Sequence, residues 1–487
     1  MDEESTAPSL RLSIVPLAAL IGLLGLNVMV FGDNATGGPN QIALLLAAMV
    51  AGLLGRFCLN VPYKKLEAGA LHSIGLSMQA ILILLTVGGL IGLWILAGIV
   101  PTLIYYGITL INPAVFLLVA CLSCSLVSLS IGSSWSTMGT LGVALVATGQ
   151  TLGIPLPMVA GAVISGSYFG DKLSPLSDTT NLAPAVAGTE LFTHVRHLLY
   201  TTLPAYGMAL IAFTVVGLSY QASDYQEQVV QEALQSISAQ FNIGLHTLIA
   251  PVIVVVLIVK RVPALPALIA GMVLGAIEAM VFQRDLLFAA EGSTLLSAYQ
   301  QIFHTAASGF ESASGNPLID DLFSKGGMGS MLNTIFLILM AMTFGGVMEA
   351  TGMLQAFVQA ILRLVRGTGS LIGATIGTCI FFNVTASEQY LAIVVPGRMF
   401  RGTYEARKLA PQNLSRALED GGTVTSVLVP WNTCGAFAAS VLGVSTWAYL
   451  PWCFFNLLCP LVGIGLASAG WTMARMESTA ENTPSSH

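Results

Sequence analysis

Charge is what this chain has least of. Asp, Glu, Lys and Arg make up 9% of its 487 residues, against 55% hydrophobic residues. A soluble domain carries about 25% charged residues. The composition therefore excludes one and points to a polytopic membrane protein. Blocks of basic residues are lacking as well. All of the 18 Lys and Arg except Lys172 sit in loops between apolar runs, and no nucleic-acid partner is expected. No H-E-x-x-H motif occurs, the six His form no metal spacing, and no nucleophile has an evident base. An enzyme, a metal centre and a cofactor are therefore not expected. Cysteine is sparse, and the seven present lie mostly in apolar runs. Cys121 and Cys124 match C-x-x-C, but on a membrane helix they read as packing residues. The first residues, MDEESTAPS, are acidic and lack a basic n-region, so no cleaved signal peptide is expected.

Apolar runs fill the rest, and the informative ones are interrupted. Ser165 to Gly188, SGSYFGDKLSPLSDTTNLAPAVAG, carries Asp171, Lys172 and Asp178 between apolar flanks. Ser174, Ser177, Thr179, Thr180 and Asn181 surround Pro175. Proline removes a backbone donor, and Ser, Thr and Asp side chains compete for backbone hydrogen bonds. A charge at the bilayer centre costs about 2.5–3.5 kcal/mol even on the lenient insertion scale. The stretch therefore reads as a helix broken in mid-membrane, lining a polar cavity.

The order of such interruptions suggests an internal repeat. CSLVSLSIGSSWST matches CIFFNVTASEQY, placing Ser134 opposite Ser387. FGDKLSPLSDTTN matches DGGTVTSVLVPWNT, placing Ser174 near Ser426 and Asp178 near Trp431 and Asn432. The expected fold is an all-α polytopic membrane protein of two inverted five-span repeats, each with a re-entrant hairpin and a broken helix. Residues 1–243 form the first repeat. It has scaffold spans in 12–96, a hairpin at 114–149, a broken helix at 157–188 and a span at 198–220. Residues 244–474 form the second. It has scaffold spans in 245–348, a hairpin at 370–400, a broken helix at 417–442 and a span at 447–469. Leu354 to Val365 reads as an interfacial amphipathic helix, and 475–487 as a disordered tail.

Five crossings per half invert the second half. With the N-terminus inside, every Lys and Arg except Arg284, Lys325 and the membrane-embedded Lys172 falls on the cytoplasmic side, as the positive-inside rule requires. The expectation is a multi-pass protein of a bacterial-type inner (plasma) membrane with both termini cytoplasmic.

The segments GSSWSTMGT, SGSYFGDKLSPLSDTTNLAPAVAG and FGGVMEATGML resemble signatures of the NhaC-type sodium/proton antiporter family. That family belongs to the ion transporter superfamily of inverted-repeat carriers. The resemblance covers most of the chain. It implies a secondary active transporter that exchanges Na+ for H+ and needs no cofactor. Some carriers of the superfamily move dicarboxylates. The alternative is therefore an organic-acid or amino-acid exchanger of the malate/lactate type, coupled to the same ions, in which Lys172 would meet an anionic substrate. The expected partners are sodium ions, protons, the lipid bilayer and, in the alternative, a small carboxylate. A homodimer is also expected, because a moving domain needs a fixed partner. Residues 114–188 and 370–442 would move together across the remaining spans, as in an elevator.

Such an exchange needs hard oxygen ligands and one carboxylate that holds either ion. A carboxylate taken out of water gains affinity for protons. Asp178 is the first choice and Asp171 the second. Glu388, in the second tip, is a third candidate. The first repeat offers oxygens of Ser134, Thr137, Ser174, Ser177, Thr179 and Asn181. The second offers Asn383, Thr385, Ser387, Asp420, Asn432 and Thr433. No metal is expected beyond an alkali cation. Each candidate has a plainer reading. Asp171 could pair with Lys172, Asp178 could cap the second half-helix, and the hydroxyls could bond their own helices. Trp431 and Asn432 stand where the first repeat has Asp178, so the two sites cannot be chemically equivalent.

Overall fold

The computed structural model describes residues 8–31, 35, 37–110, 112–219, 227–260, 262–288, 294–363 and 365–476. Among these there is no β-strand, only an isolated antiparallel bridge between Leu409 and Arg475. The chain opens with α1 (Leu10–Phe31), α2 (Pro39–Cys58), α3 (Tyr63–Leu96) and the shorter α4 (Ile99–Leu110). Next comes α5 (Phe116–Ile131), which stops at Gly132, where a φ of 75° ends the helix. The single turn α6 (Ser134–Thr137), a π turn (Met138–Gly142) and α7 (Val143–Thr151) continue from it.

An interruption at 174–177, which contains Pro175, separates α8 (Leu156–Leu173) from α9 (Asp178–Ala187). After α10 (Leu191–Ser219) come α11 (Glu227–Gln240), α12 (Ile249–Val259), α13 (Ala264–Phe282) and α14 (Arg284–Leu287). Then follow α15 (Leu295–Ser308), α16 (Pro317–Phe323), α17 (Leu332–Ala350) and α18 (Met353–Leu362). A break at 386–388 divides α19 (Thr368–Thr385) from α20 (Gln389–Ala406). The next helix, α21 (Pro411–Leu418), runs into a second π turn (Glu419–Thr423) and α22 (Val424–Ser426). It breaks at 427–432, where Pro430 lies, and resumes as α23 (Thr433–Leu442). The chain closes with α24 (Thr446–Tyr449) and α25 (Phe454–Ser468). Among the described residues, eight helices are long and apolar enough to cross a membrane, or up to ten if each of two bent pairs is one span.

Several boundaries differ from the sequence reading, for physical reasons. The span expected to begin at 198 starts earlier: the preceding segment with His194, Arg196 and His197 forms the first turns of α10. Both histidines are buried there and bond Ser415 and Asn413 of α21. The span expected at 447–469 is continuous only from Phe454. Pro451 sits in a 3-10 turn before it, because proline cannot supply the helical hydrogen bond. Arg475 pairs with Leu409 rather than starting a free tail, while 477–487 lie outside the described residues. Residues 220–226, with Asp224, lie outside them as well.

Two groups of helices make the body. In the first, α13 and α17 pack on α3, α2 packs on α17, and α1 on α2. A Cβ on Gly346 of α17 would come within 2.4 Å of the Gly69 carbonyl on α3, so only glycine lets these backbones approach. The second group holds α5, α8 to α10 and α19 to α25. Here α8 lies so close to α5 that a Cβ on Gly166 would meet the Cys121 carbonyl at 2.1 Å. Small residues at such contacts are how membrane helices pack when lipid supplies no hydrophobic drive.

Candidate cation site

The interruption after α8 presents Asp171 and the start of α9 to the tip that follows α5. Ser133 caps the single turn α6 by accepting the Ser136 N–H. That turn aims the next residue, Ser134, at α8. Its N–H donates to Asp171 Oδ2 at 3.1 Å and its hydroxyl to the same oxygen at 2.6 Å. The Thr180 hydroxyl donates to the carbonyls of Asp171 and Lys172, which satisfies backbone acceptors that the helix end leaves free. Asn181 does the same for Pro175 and Ser177, at 2.8 and 2.7 Å. The hydroxyls of Ser177 and Thr179 lie 3.2 Å apart. Ser174 accepts from the Leu176 N–H at 3.3 Å.

A cavity of about 700 Å³ opens at this junction. It is lined by Ser133, Ser134 and Trp135 of the first tip and by Asp171, Ser177, Asp178, Thr179 and Asn181 of the broken helix. Glu388, Gln389 and Tyr390 of the second tip and Thr433 of the second broken helix complete its polar wall. Gln79 and three apolar residues of α3 form another side. Three carboxylates face this space, and none of its described lining residues is basic.

The candidates divide by position. Asp171 is buried, whereas Asp178 is exposed to the cavity and has only a 3.4 Å contact from the Tyr390 hydroxyl. Asp178 occupies the first turn of α9 but makes no side-chain cap, since Ser177 is the N-cap. Asp171 is thus enclosed by the first tip, whereas Asp178 lies open to the cavity. Glu388 is the N-cap of α20 and accepts the Leu391 N–H at 3.0 Å. Ser387 adopts a φ of 60° beside it, and its carbonyl accepts the Thr433 N–H at 3.0 Å. That bond ties the second tip to the second broken helix.

Seven candidates do not line the cavity, Ser174 and Ser387 among them. Thr137 and Thr385 donate to the carbonyls of Ser133 and Phe381, one turn back on their own helices. Asn383 and Asn432 hold each other at 3.1 Å. The Asn383 amide also reaches Gly422 O at 2.8 Å and the Thr425 hydroxyl at 3.1 Å, making a structural knot. Asp420 is paired with Lys172 in a fully buried contact between α8 and the second π turn. Thr201 and Cys459 also reach the same Asp420 oxygen. Lys172 is therefore not the partner of Asp171, and it does not line the cavity as a cation for an anionic substrate. Sequence reasoning missed Gln79 and Tyr390. Their only sequence signal is a polar group inside an apolar run.

A helical membrane protein in which interrupted helices converge on a carboxylate-lined cavity has the build of a secondary transporter. The chain belongs to the Na+/H+ antiporter family, whose sequence model matches residues 166–471. The Na(+)/H(+) antiporter NhaC of Alkalihalophilus pseudofirmus is 38% identical over 90% of this chain and 92% of its own. A malate-2H(+)/Na(+)-lactate antiporter of Bacillus subtilis is 38% identical over 98% of this chain and 97% of its own. An arginine/ornithine antiporter of Halobacterium salinarum is 34% identical over 96% of this chain and 93% of its own.

Proposed function

We propose that the chain is a sodium/proton antiporter in which both ions compete for Asp171. The observation that carries this reading is the wall of the cavity. It presents Asp171, Asp178 and Glu388 without a described basic residue, a field that attracts a cation. Sodium binds hard oxygens, and Asp171, Ser134, Ser177 and Thr179 supply them around one helix break. A proton on Asp171 removes the charge that holds sodium, so each ion leaves as the other arrives.

The access route alternates as the two interrupted helices and two tips move together across α3, α13 and α17. The Ser387–Thr433 bond and the stacking of Trp135 on Phe437, with centroids 4.1 Å apart, support joint movement. The matched order of interruptions supports two inverted repeats, and the distribution of Lys and Arg supports cytoplasmic termini in a bacterial-type inner membrane. The first helix group carries the contact of a homodimer.

A second reading, exchange of an organic acid or amino acid with coupled ions, is favoured by the size of the cavity, which far exceeds a sodium ion. A carboxylate substrate would enter this acidic space only beside a cation. One experiment separates the readings. Everted vesicles with a pH probe receive sodium, lithium and potassium, then malate, lactate and amino acids. Proton movement with sodium alone supports antiport. Movement that requires an organic solute supports the second reading.

A further inference from the structure

Behind the cavity lies a second group of buried polar atoms that the cation site does not use. Glu419, the first residue of the second π turn, is fully buried, and neither of its carboxylate oxygens has a hydrogen-bond partner. The Thr423 hydroxyl one turn on and Asp420 Oδ2 are buried without partners as well. Burying a polar group without a hydrogen bond costs about 1–3 kcal/mol in proteins, and an isolated ionised carboxylate costs far more. The Thr423 hydroxyl faces Glu419 and can donate one hydrogen bond to it, which leaves the other Glu419 oxygen and Asp420 Oδ2 as acceptors that call for a donor.

The charges around Glu419 decide what that is. Those that act on it are Lys172, Asp171 and Asp420. Lys172 is the one cation among them, and Asp420 already holds it. On the other elements packed against the turn, α19 brings Cys379, α20 Tyr404, α25 Cys459 and α9 Asp178, and α10 brings His194 and His197, which act on Lys172 and Asp420. The Arg416 guanidinium of α21 donates to the Thr472 carbonyl and hydroxyl, and its charge acts on Asp420. An ionised Glu419 would thus share the one charge of Lys172 with Asp420 and add to the negative field that acts with Asp171. A proton on Glu419 cancels the added charge without needing any new ligand.

We propose that Glu419 is a proton carrier of the transport cycle, separate from the cation site at Asp171. The inference rests on the antiporter reading. In the structure described here Lys172 serves Asp420. Loss of the Glu419 proton breaks its O–H bond, leaves the electron pair on the carboxylate and passes the proton to water. Lys172, whose charge acts on both carboxylates, then offsets two negative groups. Sodium leaving Asp171 and a proton reaching Glu419 are coupled through the charges of these adjacent residues. The cycle therefore moves one proton more per sodium ion than Asp171 alone would allow.

The test uses the full chain in proteoliposomes, with the proton-to-sodium ratio read from the reversal potential. Glu419→Gln is expected to keep sodium-dependent thermal stabilisation and to lose one proton per sodium ion. Glu419→Asp, which keeps a carboxyl, is expected to keep the wild-type ratio and to shift the pH midpoint of exchange. An unchanged ratio in Glu419→Gln overturns the proposal. Should that variant not fold, an unmoved midpoint in Glu419→Asp overturns it, and a moved one supports it. Failure of the antiporter reading itself shows in the wild type, as sodium that moves no protons, and it overturns this inference too.

Discussion

Ser134 donates twice to one oxygen of Asp171, through its N–H at 3.1 Å and its hydroxyl at 2.6 Å. Two elements meet in that contact: the tip after α5 and the last turn of α8. The backbone donor survives any substitution at 134, whereas the hydroxyl does not. A hydrogen bond to a charged group contributes about 1.5–3 kcal/mol. Ser134→Ala is therefore expected to weaken sodium binding by about 10- to 150-fold, with the fold intact. Asp171→Asn is expected to abolish sodium-driven proton movement, and Asp178→Asn to leave it measurable. Vesicle assays of the three variants check this ranking. Full activity in Asp171→Asn would show that the shared carboxylate lies elsewhere.

Lys172 and Asp420 form a pair of which neither member is more than 1% exposed. Removing one partner of a buried pair leaves an unpaired charge and costs about 3–5 kcal/mol, whereas replacing both is often close to neutral. Lys172→Met is expected to lower the melting temperature of the purified protein. Combining it with Asp420→Asn is expected to restore most of the loss. Additive losses in the double variant would mean that the two side chains do not stabilise each other.

Local signals in the sequence located the breaks but not the partners. Pro175 and its Ser, Thr and Asp neighbours disfavour a helix wherever they stand, and the chain leaves the helix there. Pro430 acts likewise before α23. The pairing of Lys172 with Asp420 joins residues far apart in the chain, so no local pattern announces it. The burial of Asp171 beside the exposure of Asp178 also escaped the sequence. It depends on which side chain the last turn of α8 buries and which the first turn of α9 leaves in the cavity. The hydroxyls of Thr137 and Thr385 look like ligands in composition, but each donates to the carbonyl four residues back. The helical start of α10 was hidden because charged and imidazole groups resemble a loop until α21 packs over them.

Topology can be tested by labelling. Lys65 lies at the start of α3, and Lys408 follows α20; both are exposed. The proposed topology, with cytoplasmic termini, expects both in the cytoplasm. Single cysteines at these positions, in a background without native cysteines, are expected to react with an impermeant reagent only in everted vesicles. Labelling of the two from opposite sides would remove the odd-crossing inverted repeat.

The proposed movement requires α3 to slide against the segment after the first tip, and one contact tests it. Gly139, in the first π turn, faces Val87 of α3 so closely that a Cβ at 139 would lie 3.8 Å from Val87 Cβ and 3.0 Å from its Cγ1. A disulfide spans Cβ atoms about 3.5–4.5 Å apart. Replacing Val87 removes the methyl that crowds the site, so Val87→Cys with Gly139→Cys is expected to cross-link on mild oxidation. The bond would join an element of the first helix group to one assigned to the moving group. Exchange is expected to stop on oxidation and return on reduction, while the reduced double variant still transports. Each single variant, oxidised, is expected to be unaffected. Undiminished exchange with the cross-link fully formed would show that α3 and this segment keep one arrangement throughout the cycle, and access would then have to alternate by another route.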